Sequence, residues 1–149
     1  MLVPADVSIK STICPGSVYL FLEDSFEGCD KKHYFIVLNS NPLSDELLFL
    51  VWSKTLSEKV FLHIDEASLP METFVDITGK CDWLANPTVV DCNSVIEKDI
   101  SELISKLESG ELKMIGTVSD EVLSSLIAGV LKSPLVDRHI QKLINPDII

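Results

Sequence analysis

Apolar residues in the first two thirds of the chain occur in short runs that are separated by turn residues. The Pro15-Gly16 turn precedes a run over residues 17–23, and further runs cover residues 33–39 and 47–52. Runs of this length that carry apolar side chains on both faces are typical of buried strands. The pattern therefore predicts three strands, and the short, Pro42-containing connection between the second and third favours an antiparallel pair.

Three shorter apolar segments follow these runs. They cover residues 60–64, 73–77 and 87–91, and turn residues such as Gly79 and Asn86 separate them. We interpret each segment as a further strand. Six short strands at close spacing indicate a small barrel or a strongly curled sheet.

The period of the apolar positions changes after Val95. Apolar residues now recur every three or four positions, as on one face of a helix: Ile96, Ile100, Leu103, Ile104 and Leu107. Gly110 ends this predicted helix, Ser119 caps a second one, and a third begins at Ser133-Pro134 and ends at Asn145. The chain is thus predicted to be α+β, with a barrel over about residues 15–93 and a helical part over about 95–145.

Composition supports one globular domain over residues 1–149. The chain has 149 residues, of which 46% are hydrophobic, so it is too apolar for a disordered segment. No apolar run approaches the roughly 18 residues that span a bilayer, and the first ten residues lack the features of a signal peptide. We therefore expect a cytoplasmic protein without a membrane partner. The formal net charge of −11 repels polyanions on average and argues against a protein that coats duplex DNA.

The four cysteines do not form a recognisable metal or disulfide motif. Cys14, Cys29, Cys81 and Cys92 include no CxxC pair, and nothing near Cys29 and His33 completes a set of zinc ligands. Free thiols are the better expectation in a reducing compartment. We expect no metal and no cofactor.

One cluster of polar residues has a plausible chemistry. Lys31, Lys32 and His33 begin the second predicted strand, and Ser53 and Thr55 end the third. If these strands pair antiparallel, an ammonium, an imidazole and a hydroxyl come to the same end of the sheet. Lysine stabilises charge on phosphoryl oxygens, and imidazole ordinarily exchanges a proton near neutral pH. The simpler alternative is that strand ends are polar because they face water.

The order of the segments resembles the MazF/PemK-like family of bacterial toxins from toxin–antitoxin pairs. The resemblance spans about residues 14–136. Residues 15–20 match the family's opening strand, residues 31–40 its basic second strand and residues 47–55 its third strand, which ends in a hydroxyl residue. Residues 87–93 match a later strand and residues 111–126 the terminal helix region. The resemblance implies a small SH3-like β-barrel of about six strands followed by two or three helices, usually as a homodimer.

The resemblance also implies metal-independent cleavage of single-stranded RNA and an antitoxin as protein partner. Family members use an arginine at the start of the second strand, where this chain has Lys32 or His33. They use a serine or threonine after the third strand, which matches Ser53 or Thr55. The chain departs from the pattern because lysine does not reproduce the bidentate contact of a guanidinium with phosphate.

Three further residues are expected to bind substrate at the same end of the sheet: Lys31, Lys54 and Trp52. The alternative function is a catalytically inactive barrel that serves as a protein-binding or dimerisation module. It would use the apolar face near Trp52 and Trp83.

Overall fold

The computed structural model describes residues 3–26, 31–45 and 47–147, which form an antiparallel sheet flanked by helices. The helices in these ranges are α1 (Ala5–Lys10), α2 (Glu58–Glu66), α3 (Ile100–Glu108), α4 (Asp120–Lys132) and α5 (Arg138–Ile144). The strands are β1 (Ser17–Phe21), β2 (His33–Val37), β3 (Leu48–Thr55), β4 (Phe74–Asp76), β5 (Thr88–Asp91), β6 (Ile96–Lys98) and β7 (Lys113–Thr117). A single 3₁₀ turn, Met71–Thr73, precedes β4.

The seven strands follow the order β4-β5-β3-β2-β1-β7, and β6 also pairs with β3. Every pair is antiparallel, which confirms the predicted pairing of the second and third strands. The α+β class is confirmed as well. Among the described residues no ladder joins the terminal strands β4 and β7, and closure of the sheet into a barrel stays a prediction.

The sheet carries a hydrophobic core on each face, because successive side chains of a strand point to opposite sides. On β3, Phe49 and Val51 belong to a first core that α4 and α5 cover through residues such as Leu126 and Ile144. Leu48, Leu50 and Trp52 belong to a second core, to which α1 contributes Ile9 and α3 contributes Leu103. Each core therefore packs one face of the sheet against one pair of helices.

Two predicted elements differ from the structure near the middle of the chain. Residues 60–64 are not a strand but lie in α2, where the Ser57 hydroxyl accepts a hydrogen bond from the Val60 amide at 3.3 Å and caps the helix. The predicted strand is wrong because it assumed that these apolar side chains are buried, whereas Phe61 and Leu62 are 55% and 56% exposed. The helix expected from Val95 begins only at Ile100, after β6.

The C-terminal elements agree in part with the prediction. Ser119 caps α4, Gly110 follows α3 with a φ of +79°, and Asn145 ends α5. However, α5 begins at Arg138 and not at Ser133-Pro134, because Asp137 supplies the cap. Helix α1 and strand β7 were not predicted, and β6 and β7 extend the sheet into the part expected to be helical.

Buried Asn39 organises the connection between β2 and β3. Its side-chain oxygen accepts a hydrogen bond from the Phe49 amide at 2.6 Å. Its amide group donates to the Leu47 carbonyl at 2.9 Å and to the Asp45 carboxylate at 2.8 Å. Because buried polar groups need partners, this arrangement specifies one conformation of the connection.

A mostly buried ion pair joins the end of β1 to β6. The Lys98 ammonium lies 2.7 Å from the Glu23 carboxylate and 3.2 Å from that of Glu102, and the Lys98 and Glu23 side chains are only 12% and 4% exposed. Burial acts to lower the pKa of Lys98, but the two carboxylates outweigh it, so the pKa is raised above its ordinary value. The ion pair between Lys98 and Glu23 therefore holds β6 against the residues that follow β1.

We expect Lys98→Met to lower the free energy of unfolding by about 3–5 kcal/mol, since it leaves the Glu23 carboxylate buried without its cation. Urea unfolding measures the change. Lys132→Met, on an exposed position of α4, is the matched control and is expected to change little. The double variant Glu23→Leu/Lys98→Met is expected to recover most of the loss; a stable single variant would contradict the assignment.

Helix α4 approaches the sheet closely at Gly129. A Cβ at this position would lie 2.8 Å from Cys92 Sγ, so only glycine allows the observed distance between the helix and the residue after β5. Cys14, Cys81 and Cys92 are free thiols, as expected, whereas Cys29 lies outside the described residues. Burial, with a smaller effect of Asp91, raises the pKa of Cys92 to about 12.

We expect stability to fall as the pH rises from 9 toward 12. The thiol pKa of Cys92 is about 9.0 when unfolded and about 12 when folded, so the folded state retains a proton that the unfolded state loses. The free energy of unfolding should decrease by about 1.4 kcal/mol per pH unit from this group. Chemical denaturation at several pH values checks this, and Cys92→Ala should have a shallower alkaline slope.

Candidate functional site

A cleft of about 170 Å³ lies where β2 begins and β3 ends. The register of the two strands, with Phe35 opposite Trp52, brings these ends together as predicted. The described residues that line the cleft come from β2 and the two residues before it, from β3, and from β5 and the loop before it: Lys31, Lys32, His33, Tyr34, Ser53, Thr55, Trp83, Leu84, Ala85, Asn86 and Thr88.

An ammonium and a hydroxyl meet in this cleft. The Lys31 ammonium donates to the Thr55 hydroxyl at 3.4 Å, and Lys32 lies exposed beside them. Among the described lining residues, two are lysines and none is a carboxylate. In a chain with a formal net charge of −11, the cleft is therefore a local site where an anion can be bound.

Ser53 and Thr55 have different environments although both face the cleft. Ser53 is buried, and its hydroxyl accepts a hydrogen bond from the Tyr34 amide at 3.2 Å. Thr55 is exposed. The Ser53 hydroxyl is therefore hydrogen-bonded to the backbone of β2, whereas the Thr55 hydroxyl is accessible to solvent.

His33 borders the cleft through its contact with β3. Its Nδ1 lies 2.9 Å from the Ser53 carbonyl oxygen, and because a carbonyl only accepts, Nδ1 carries the proton. In the neutral ring the lone pair is thus on Nε2. The ring also makes edge contacts with Phe26 and Phe35, at centroid distances of 5.9 and 6.3 Å, so it lies on the face of the sheet that carries Trp52 and not on the face of Ser53 and Thr55.

Trp52 and Lys54 lie on the opposite face of β3 and are not among the residues that line the cleft. The Lys54 ammonium lies 5.6 Å from the centre of the Trp52 ring and 3.9 Å from the Asp91 carboxylate. The same carboxylate is 3.9 Å from His63 Nε2. Because alternate side chains of a strand point to opposite faces, Trp52 and Lys54 lie on the other side of the sheet from Ser53 and Thr55.

Six lining residues were not predicted as site residues, namely Tyr34, Trp83, Leu84, Ala85, Asn86 and Thr88. The Tyr34 hydroxyl donates to the Trp83 carbonyl at 3.2 Å, and the two rings are 4.5 Å apart. Thr88 pairs with Thr55 across the β3–β5 ladder. This long-range pairing has no local sequence signal, although Asn86-Pro87 was recognised as a turn before a strand.

Two properties bear on the expected location and cofactors. None of the helices in residues 3–26, 31–45 and 47–147 has the length and apolar content needed to cross a bilayer. Within the same ranges, no three His, Cys, Asp or Glu side chains are grouped to hold a metal ion. Metal-free chemistry stays a prediction.

The fold is similar to that of a solved endoribonuclease. An endoribonuclease solved in complex with its cognate antitoxin from Mycobacterial species aligns over 80% of this chain and 91% of its own, with 12% identity and a TM-score of 0.51. A MazE–MazF complex from Deinococcus radiodurans aligns over 78% and 90%, with 13% identity and a TM-score of 0.41. No family model and no curated protein match the chain. The first similarity confirms the α+β fold implied by the resemblance to the MazF/PemK-like family, while closure of the sheet into a barrel stays a prediction.

We expect Ser53→Ala and Thr55→Ala to differ in stability. Removing the Ser53 hydroxyl takes away the acceptor of the Tyr34 amide and should lower the free energy of unfolding by about 1 kcal/mol. Thr55 is exposed, so its replacement should change stability by no more than about 0.5 kcal/mol. Thermal or urea unfolding compares the two variants; equal losses would show that Ser53 is not the supporting hydroxyl.

Proposed function

We propose that the protein is an endoribonuclease toxin of a toxin–antitoxin pair and that it cleaves single-stranded RNA in the cleft. The observation that carries the proposal is the contact of the Lys31 ammonium with the Thr55 hydroxyl, in a cleft whose described lining residues include no carboxylate. The similarity in fold to a solved endoribonuclease supports it.

The size of the cleft favours a polymer over a small metabolite. Pockets that enclose a drug-sized ligand have volumes of roughly 300–1,000 Å³, whereas this cleft has about 170 Å³. It is suited to one phosphate and one base of a chain that continues outside. Single-stranded RNA can present splayed bases to such a cleft, which a stacked duplex cannot.

The proposed reaction uses the RNA's own nucleophile. The ribose 2′-hydroxyl attacks phosphorus, the bond from phosphorus to the 5′ oxygen breaks, and a 2′,3′-cyclic phosphate and a 5′-hydroxyl form. Solvent accepts the 2′-hydroxyl proton and protonates the departing oxygen, and His33, whose ring lies on the other face of β2, holds the strand end through its contact with the Ser53 carbonyl. Lys31 and Lys32 stabilise the charge that develops on the phosphoryl oxygens, and Thr55 donates a hydrogen bond to one of them.

Lys32 or His33 stands where MazF/PemK-like proteins use an arginine, and Lys31 directly precedes them. Arg138, the only arginine in the sequence, is exposed on α5. A lysine is a point charge and lacks the planar fork of a guanidinium. Two adjacent ammonium groups replace the bidentate contact with two separate ones, so both lysines contribute to phosphate binding in this proposal.

The proposal includes an antitoxin partner, a homodimer and a cytoplasmic location. The solved endoribonuclease that shares the fold is in complex with its cognate antitoxin, which supports a protein partner of that kind here. Light scattering after gel filtration tests the homodimer, for which we expect twice the monomer mass.

We expect purified protein to cleave a labelled mixed-sequence RNA in the presence of EDTA. Lys32→Ala and Thr55→Ala should each reduce the cleavage rate about 100-fold, the effect of removing one charge-stabilising donor. Lys132→Ala, which removes an exposed lysine from α4, is the matched control and should cleave normally. RNA with 2′-deoxyribose throughout should stay intact.

Two outcomes would contradict different parts of the proposal. Intact RNA in every reaction would remove the endoribonuclease assignment. Equal cleavage by the wild-type protein, Lys32→Ala and Thr55→Ala would remove the assignment of the cleft.

A further inference from the structure

We propose that Tyr34, Trp83 and Asn86 form a nucleobase subsite beside the Lys31–Thr55 contact. The inference rests on the proposed function, because it assigns the part of the RNA that binds next to the reacting phosphate. It extends the site from β2 and β3 to the loop before β5.

The aromatic pair gives the cleft a rigid, apolar wall. The Tyr34 and Trp83 rings are tilted by 43° with their centres 4.5 Å apart, and the Tyr34 hydroxyl holds the Trp83 carbonyl at 3.2 Å. Both side chains are half-buried against the first core. A base that stacks on this wall meets side chains that are already ordered, so little conformational entropy is lost on binding.

Asn86 adds a group that can distinguish bases. Its backbone carbonyl accepts a hydrogen bond from the Thr88 hydroxyl at 2.8 Å, which fixes the loop where it enters β5. The residue itself is exposed and lines the cleft. A side-chain amide has both a donor and an acceptor, which match the polar edge of a nucleobase.

The two parts of the cleft are neighbours on the sheet. Thr55 and Thr88 are opposite each other on neighbouring strands, and paired strands lie about 4.8 Å apart. Asn86 precedes Thr88 by two residues. Tyr34 contacts Ser53, which lies two positions before Thr55 on the same face of β3, so a phosphate bound at Lys31 and Thr55 places the attached nucleoside toward the aromatic wall.

Tryptophan fluorescence tests the subsite directly, since Trp52 and Trp83 are the only two tryptophans. The Trp52→Phe variant reports on Trp83 alone. The probe is a single-stranded mixed-sequence RNA oligonucleotide with 2′-fluorine in place of each 2′-hydroxyl, which cannot be cleaved by the proposed route. We expect saturable quenching by this probe and no quenching by ribose 5-phosphate, which lacks a base.

A binding measurement complements the fluorescence. Anisotropy of the labelled probe should show about 5- to 150-fold weaker binding to Trp83→Leu than to the wild-type protein, the range found when one stacking aromatic is removed. Trp83→Phe retains a ring and should bind more tightly than Trp83→Leu. Circular dichroism checks that each variant is folded. With ordinary RNA, Asn86→Ala should alter the distribution of cleavage positions.

The outcomes separate this inference from the proposed function. Binding of the probe without a change in Trp83 fluorescence, or no binding at all, overturns the subsite even if ordinary RNA is cleaved elsewhere on the protein. Binding with quenching supports the subsite. If ordinary RNA then remains intact, the endoribonuclease proposal fails while the nucleobase subsite stands.

Discussion

The structure depends on the eight residues of β3, which pair with three other strands. Residues 48–50 pair with β6, residues 50–52 with β2 and residues 53–55 with β5. Because the side chains of β3 alternate, the same strand fills both cores and ends with hydroxyls on one face and Trp52 and Lys54 on the other. The pairing of β3 thus determines both the packing of the helices and the composition of the cleft.

The sequence predicts the local parts of this arrangement and not the long-range ones. The short connection between two apolar runs indicates the β2–β3 hairpin, which was enough to bring Lys31 and Thr55 to one end of the sheet. The pairing of β3 with β5 joins segments that are more than thirty positions apart, so the contribution of Trp83 and Asn86 has no local signal. In α2, the apolar run suggested a strand because burial cannot be read from hydrophobicity alone.

Charge separates the cleft from the rest of the molecule. A chain with a formal net charge of −11 repels a nucleic acid at long range, whereas the described lining of the cleft offers two lysines and no carboxylate. For the proposed binding of RNA, short-range contacts must therefore outweigh the average field. Aromatic and amide groups beside the lysines supply contacts that do not depend on net charge, which fits the proposed binding of single-stranded RNA.

The hydrogen bonds of Asn39 have a consequence at the opposite end of the hairpin. They lock the β2–β3 connection at one length, and a strand that slips by one position turns every side chain to the other face. Such a slip of β3 would turn the Trp52 indole and the Lys54 ammonium into the cleft. The hydroxyls of Ser53 and Thr55 would then face the second core. A buried amide far from the cleft therefore decides which functional groups an incoming ligand encounters.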